Sequence, residues 1–211
     1  MIPTKEEWIQ ALNDRHGIEF QGKISSTTVA VCGLGGLGSN IATSLARAGI
    51  GKLILIDFDK VDITNLHRQQ YKANQIGMSK TEALQDNLKE IYPYIETEIH
   101  NVYLDENNAK DILPDANIIC EAFDNAEAKA NIVNFVLSEM PEKYIVAASG
   151  MAGLDSANLV KTRKISKRFY LCGDEVSDIK DGIGLVSTRV MLCAAHQAHT
   201  VLRIIAEEYE V

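Results

Sequence analysis

The sequence predicts an α/β fold: a doubly wound, mostly parallel sheet with a small antiparallel extension and a long C-terminal helix. Three observations predict it. Short apolar, β-branched runs at residues 28–32, 53–56, 117–122 and 144–148 alternate with segments of helical periodicity, the order that builds a parallel sheet with helices on both faces. These runs close on Gly33, Asp57, Asp124 and Ser149, so polar and glycine positions gather where such sheets bind ligands. Beyond Gly150 the alternation stops and a different, strand-pair pattern begins.

Taken in order, Thr4-Lys5-Glu6-Glu7 is a capping box that starts a helix burying Trp8, Ile9 and Leu12 and ending near Gly17. A short piece carrying Ile18, Phe20 and Ile24 leads into the first strand. Gly33, Gly35, Gly36 and Gly38 follow that strand, and Ile41, Leu45 and Ala48 mark one face of a helix that stops at Gly49. The second strand ends on Asp57, nineteen residues after Gly38. Glycines that admit a phosphate chain to the backbone, a helix N-terminus and an acid at this distance make a Rossmann-type nucleotide unit. Taken alone, this unit suits a nicotinamide cofactor as well as ATP.

Later elements follow the same logic. Residues 79–91 predict a helix with Ala83, Leu84, Leu88 and Ile91 inward, and residues 95–102 a strand. A short helix over 106–113 precedes the strand closed by Asp124, and residues 125–140 form a helix ended by Pro141. Residues 157–165 and 167–171 read as an antiparallel pair, and 172–184 as a loop. Residues 185–208 form one long helix with Val186, Val190, Ala194, Ala198, Val201 and Ile205 on an apolar stripe.

Composition narrows the class. With 211 residues, 46% hydrophobic and 24% charged, one globular domain over 1–211 is expected. The net charge of −8 disfavours nucleic acid as a partner. There is no apolar run of transmembrane length and no signal-peptide layout at MIPTKEEW, so a cytoplasmic protein with no membrane partner is expected. Cys32, Cys120, Cys172 and Cys193 are scattered without a CxxC pair and read as free thiols.

The residues beyond Asp57 separate the nucleotide readings. Gly33 to Ser39 reads GxGGLGS, Asp57 to Gln69 reads DxDxVxxxNLxRQ, Gly77 to Lys80 reads GxxK, and Ala122 to Asn125 reads AxDN. With these four motifs in this order the chain resembles the ThiF/MoeB family, bacterial relatives of ubiquitin-activating enzymes, from about Arg15 to the last helix. The resemblance implies an adenylyltransferase that uses ATP and Mg2+ to activate the C-terminal glycine of a ubiquitin-like sulfur carrier. A ThiS-like carrier of thiamine thiazole synthesis is the leading expectation. A molybdopterin-type carrier, or a carboxylate on a peptide or RNA, stays open; so do a nicotinamide oxidoreductase and a non-catalytic nucleotide-binding partner. The glycines Gly33, Gly35, Gly36 and Gly38 would take the nucleotide with Asp57 on the ribose, helped by Asp59 and Gln69. Asn65 and Arg68 would face the phosphates, Lys80 would contact ATP, and Asp124 would hold magnesium. Arg15 resembles an arginine that reaches the nucleotide of a partner subunit, and a homodimer is expected from the family and from the apolar stripe of the last helix. The carrier tail would enter near Ser149-Gly150.

Each site residue also has a plainer reading. The glycines make a tight turn, Asp57 and Asp59 are turn formers, Arg68 and Lys80 are surface charges, Asp124 is a helix cap, and Arg15 is a helix-dipole partner. Cys172, placed in the 172–184 loop, is a candidate acceptor of the activated carrier, although Asp174 and Glu175 beside it disfavour a thiolate. Cys193, His196 and His199 share the last helix but fan over about 120° of its surface. With no CxxC pair either, no zinc is expected.

Overall fold

Alternating side chains on the strands bury both faces of a single sheet. The computed structural model describes residues 2–180 and 182–211. The strands are β1 (Thr28–Cys32), β2 (Lys52–Ile56), β3 (Glu96–His100), β4 (Ile118–Glu121), β5 (Tyr144–Ala148), β6 (Lys161–Ser166) and β7 (Phe169–Gly173). They lie in the order β3-β2-β1-β4-β5-β7-β6. All neighbours are parallel except the β6–β7 hairpin. The helices are α1 (Lys5–His16), α2 (Ile18–Ser25), α3 (Gly36–Arg47), α4 (Lys80–Ile91), α5 (Glu106–Ile112), α6 (Ala126–Glu139) and α7 (Ser187–Ile205).

The alternation is visible residue by residue. Val29, Val31, Leu53 and Leu55 face Ile24 of α2, Ile41 and Leu45 of α3, Leu84 and Leu88 of α4, and Val190, Ala194 and Val201 of α7. Ala30, Cys32, Ile54 and Ile56 face Ala109 of α5 and Ile132 and Val136 of α6. The chain winds outward from β1 to β2 and β3, then returns to β4 on the other side of β1. That reversal opens a crevice at the C-terminal ends of β1, β2 and β4. Among the described residues, no helix is long and apolar enough to cross a membrane.

The structure corrects three expectations. Ile9 is exposed, and Trp8 and Leu12 are only half-buried, because α1 lies on the outside of α2 and α4. Trp8 instead stacks on Tyr92 at 5.6 Å. Second, the turn between the hairpin strands takes up Lys167 and Arg168, which moves β7 forward to Phe169–Gly173. Cys172 therefore belongs to a strand, not to a loop. Third, Val190, Ala194, Ala198, Val201 and Ile205 are buried. Their stripe packs along α3 within the same chain, so it offers no face to a second subunit.

One of the two tightest backbone approaches is between α3 and the turn after β1. A Cβ on Gly38 would collide with the Gly33 carbonyl oxygen. Gly38→Ala must push backbone against backbone and is expected to cost roughly 3 kcal/mol. Urea denaturation measures it, and a midpoint equal to that of the parent would refute this packing.

Candidate nucleotide site

At the end of β1, Gly33 takes φ +90° and its amide donates to the Ile56 carbonyl at 2.8 Å. A Cβ there would press on the Ala122 carbonyl oxygen at 2.9 Å, so the residue must be glycine for both reasons. Gly35 caps α3 with no side chain, and the first-turn amides of that helix have no intrahelical partners. Leu34 between them donates its amide to Asp57 Oδ2 at 2.6 Å.

Asp57 is buried at the end of β2. Its second oxygen accepts the Asp59 amide at 2.8 Å. Lys80, the first residue of α4 behind its Ser79 cap, places Nζ 2.7 Å from Asp59 Oδ2 and 3.8 Å from Asp57 Oδ2. Its amide donates to the Asp59 carbonyl at 2.9 Å. One carboxylate and one ammonium thus join the glycine turn, the end of β2 and the start of α4.

The NLxRQ motif lies on the other side of the turn. Asp62 caps a 3-10 turn, Ile63–Asn65, by accepting the Thr64 amide at 2.8 Å. Asn65 Oδ1 then accepts from Arg68 Nη2 at 3.1 Å and from Gln69 Nε2 at 3.0 Å. The stem of Arg68 covers Gly36, where a Cβ would sit 3.5 Å from its Cγ. Burial draws the Arg68 pKa below its ordinary value while the nearby Asp124 carboxylate raises it. The guanidinium stays charged at neutral pH. Arg68 Nε and Gln69 Oε1 are buried without a hydrogen-bond partner, as are Thr43 Oγ1, Arg189 Nε and Gln197 Oε1 elsewhere. Asp124 is exposed between β4 and α6, and Asn125 caps α6 by accepting the Ala128 amide at 2.9 Å. The helix-cap role considered for Asp124 therefore falls to its neighbour.

A cavity of about 200 Å³ opens between the β3–α5 connection and α6, lined by Tyr103, Leu104, Asn107, Ala128 and Asn131 among others. The exposed rings of Phe58 and Tyr103 lie 5.4 Å apart, and Phe58 directly follows Asp57.

Two candidates lie elsewhere. Arg15 is exposed in the last turn of α1. That helix packs by Trp8 and Pro3 near Tyr92 and Tyr94, at the end of α4 opposite Lys80. Within one chain Arg15 does not join the site. Cys172 is 0% exposed. Its sulfur lies 3.6 Å from Thr162 Oγ1 and 3.9 Å from Thr200 Oγ1. Burial raises its pKa, against the hydrogen bonds to Thr162 and Thr200. It is not an exposed loop nucleophile. Cys193 is likewise buried, and its thiol donates to the Cys172 carbonyl at 3.6 Å. Among the described residues no group of three or more His, Cys, Asp or Glu side chains is arranged to hold a metal.

The sequence reading missed other polar residues. Glu121 is fully buried one strand over, with Lys129 Nζ at 2.5 Å and the Phe123 amide donating to it at 2.7 Å. Asp174 and Arg189 form a buried ion pair. His67 Nε2 lies 3.2 Å from the Leu185 carbonyl oxygen, joining the NLxRQ segment to the approach of α7. The available signal was the acid that closes each apolar run; it is present at Glu121 and Asp174 as it is at Asp57.

Comparison with known proteins now decides the family. The sequence profile of the ThiF family matches residues 10–211. The chain belongs to the ThiF family. The adenylyltransferase and sulfurtransferase MOCS3 of Caenorhabditis briggsae is 40% identical over 121 residues, which is 57% of this chain and 30% of that protein. Ubiquitin-like modifier-activating enzyme 5 of Caenorhabditis elegans is 52% identical over 79 residues, 37% of this chain and 19% of that protein. The chain therefore spans less than a third of the length of these two relatives. In structure, Escherichia coli tRNA N6-threonylcarbamoyladenosine dehydratase, solved with ATP, superimposes with a TM-score of 0.85 at 18% identity. The match covers 99% of this chain and 98% of that one and shows that the two share a fold.

Burial of the sulfurs gives a direct test. All four cysteines are buried and free. At about pH 8 a thiol reagent is expected to react slowly with the native ThiF-family chain and fast once it is denatured. A fast native thiol that vanishes in Cys172→Ser would return Cys172 to the candidates.

Proposed function

We propose that this chain binds ATP at the glycine turn and adenylates the C-terminal carboxylate of a small ubiquitin-like sulfur carrier, of ThiS type. The observation that carries the proposal is the placement of two cations at the Gly33–Gly38 turn, the Arg68 stem over Gly36 and Lys80 beside the Asp57 carboxylate that holds the Leu34 amide, with buried, unpartnered polar atoms on Arg68 and Gln69. A hydride-transfer site has no need of two cations there, whereas a triphosphate does. The cavity beside Phe58 and Tyr103 suits the base, and Asp57 keeps acceptor capacity for a ribose hydroxyl.

The chemistry follows from charge. A C-terminal carboxylate has a pKa of about 3.5 and is ionised at neutral pH, so attack needs no general base. Its oxygen forms a bond to the α-phosphorus, the bond from that phosphorus to the bridging oxygen breaks, and pyrophosphate leaves with the electron pair. Arg68 and Lys80 oppose the charge that gathers on the phosphoryl oxygens. Asp59 holds the Lys80 ammonium in place until the phosphates arrive. Asp124 is exposed beside Arg68 and, among the described residues, makes no ion pair. One carboxylate plus substrate phosphates is a usual magnesium environment, so Asp124 fits as the residue that would hold Mg2+, whose role is to neutralise phosphate charge. The carboxylate would arrive beside Ser149 and Gly150, at the end of β5. A homodimer in which Arg15 reaches the partner's nucleotide is compatible with its exposure at the outer surface. The thiamine assignment rests on the resemblance of the motifs and of the whole chain, and the relatives' names carry it no further.

Three measurements test this. Calorimetry is expected to show Mg-ATP binding and no NAD binding; the reverse would replace an adenylyltransferase with an oxidoreductase. Carrier-dependent pyrophosphate exchange is expected to fall by about a hundredfold or more in Arg68→Ala and Lys80→Ala. Near-parental exchange in either variant removes that residue from the clamp. Cys172→Ser is expected to retain exchange within about threefold, since no adenylation step uses a thiol; loss of exchange would make Cys172 part of the site's framework.

A further inference from the structure

We propose that the buried Asp174–Arg189 pair, with Ser177, positions the incoming carboxylate substrate rather than the nucleotide. This rests on the reading that the carboxylate arrives beside Ser149 and Gly150. The side chains of Arg189 and Asp174 are 4% and 2% exposed. Arg189 Nη2 pairs with Asp174 Oδ2, and Arg189 Nη1 donates to the carbonyls of Asp155 and Ser156. Asp174 Oδ1 accepts the Val176 amide at 3.0 Å, the Ser177 amide at 2.9 Å and the Ser177 hydroxyl at 3.0 Å. Ser177 Oγ in turn accepts the Ala152 amide at 3.0 Å. A single ion pair thereby joins three segments: the turn after β5, the segment after β7 and the first turn of α7.

These segments frame the proposed entry point. The Asp174 amide donates to the Gly150 carbonyl at 3.0 Å and the Glu175 amide to the Ser149 carbonyl at 3.0 Å. Gly150 has φ +77°, and a Cβ on it would strike Asp174 Oδ1. The same framework reaches the nucleotide site. Gly153 donates to the Gly184 carbonyl at 3.0 Å, and the Leu185 carbonyl meets His67, beside Arg68. Val190, next to Arg189, packs on Gly36 of the glycine turn. The pair therefore fixes these segments relative to the glycine turn and Arg68. Burial disfavours the Asp174 carboxylate, but hydrogen bonds from Ser177, Val176 and Arg189 outweigh it and bring the pKa down to about 2. The pair stays ionised at every working pH and holds one geometry. A buried ion pair is a poor source of net stability compared with apolar packing. What it supplies here is a fixed direction for several backbone amides and carbonyls.

The test is steady-state pyrophosphate exchange by the full chain, with Mg-ATP and a ThiS-type carrier each varied in turn. Ser177→Ala, which removes one hydroxyl, is expected to raise the carrier KM about fivefold. Asp174→Asn is expected to raise it about thirtyfold or more. In both, the ATP KM is expected to stay within about twofold, and Arg189→Lys is expected to leave the carrier KM above the parental value because lysine lacks the planar fork. A purely structural pair would instead lower the melting temperature and kcat with both KM values unchanged, and that result overturns the inference. If Asp174→Asn does not fold, Ser177→Ala decides alone. No exchange by the parent with the carrier overturns the adenylation reading and this inference together; parental exchange with an unchanged carrier KM in the variants overturns only this inference.

Discussion

The site depends on one carboxylate. Asp57 accepts the Leu34 amide through one oxygen and the Asp59 amide through the other. Leu34 lies in the glycine turn and is fully buried. Without Asp57 its amide would be an orphaned buried donor, at a cost of about 1–3 kcal/mol. Because the same carboxylate also faces Lys80, the glycine turn and the start of α4 share one reference point. Tyr71 fixes the next peptide of the turn by donating its hydroxyl to the Leu34 carbonyl at 2.7 Å. A nucleotide clamp needs such preorganisation, since a cation that must reorient at the moment of reaction loses much of its electrostatic benefit.

The pattern repeats along the sheet. Glu121 at the end of β4 turns back to its own loop, accepting the Phe123 amide and pairing with Lys129. Burial raises the Glu121 pKa, and the Lys129 charge opposes that rise. Gln197 from α7 ties the Glu121 carbonyl to that of Val146 at 2.9 and 3.1 Å. Asp174 does the same after β7. At Glu121 and Asp174 the acceptor capacity is spent largely on the protein's own donors. Arg68 and Lys80 lie beside the same glycine turn, Lys80 paired with Asp59 and Asp57, so a chain with net charge −8 still gathers two cations at the crevice. Local arrangement, not net charge, sets the sign of the site.

Much of this was legible in the sequence because it depends on local rules. Apolar runs gave β1, β2, β4 and β5, the capping box at Thr4 gave the start of α1, helical periodicity gave α4, and the glycine spacing gave the turn. The sheet order, with the hairpin at one edge, agrees with the doubly wound expectation. What was not legible depends on tertiary contact. An apolar helix stripe does not say whether its partner is another helix of the same chain or a second subunit, and α7 chose α3. Asp174 and Arg189 are fifteen residues apart across a turn. Nothing local marks them as partners. Arg15 could be matched by motif, but its position on the outside of α1 follows from how α1 docks on Tyr92.

Cys172 shows how burial limits chemistry. Its strand is paired on both sides, with β5 at Ala148 and with β6 at Thr162. Thr162 and Thr200 surround the sulfur, and Thr162 also meets His196 Nδ1 at 3.0 Å. Desolvation disfavours the thiolate, the only reactive form. For this thiol to meet an acyl adenylate, β7 would have to part from at least one neighbour, and Gly173 and Asp174 at its end are held by Ser149, Gly150 and Arg189. The contacts that steady the segments after β5 and β7 therefore also keep the sulfur buried.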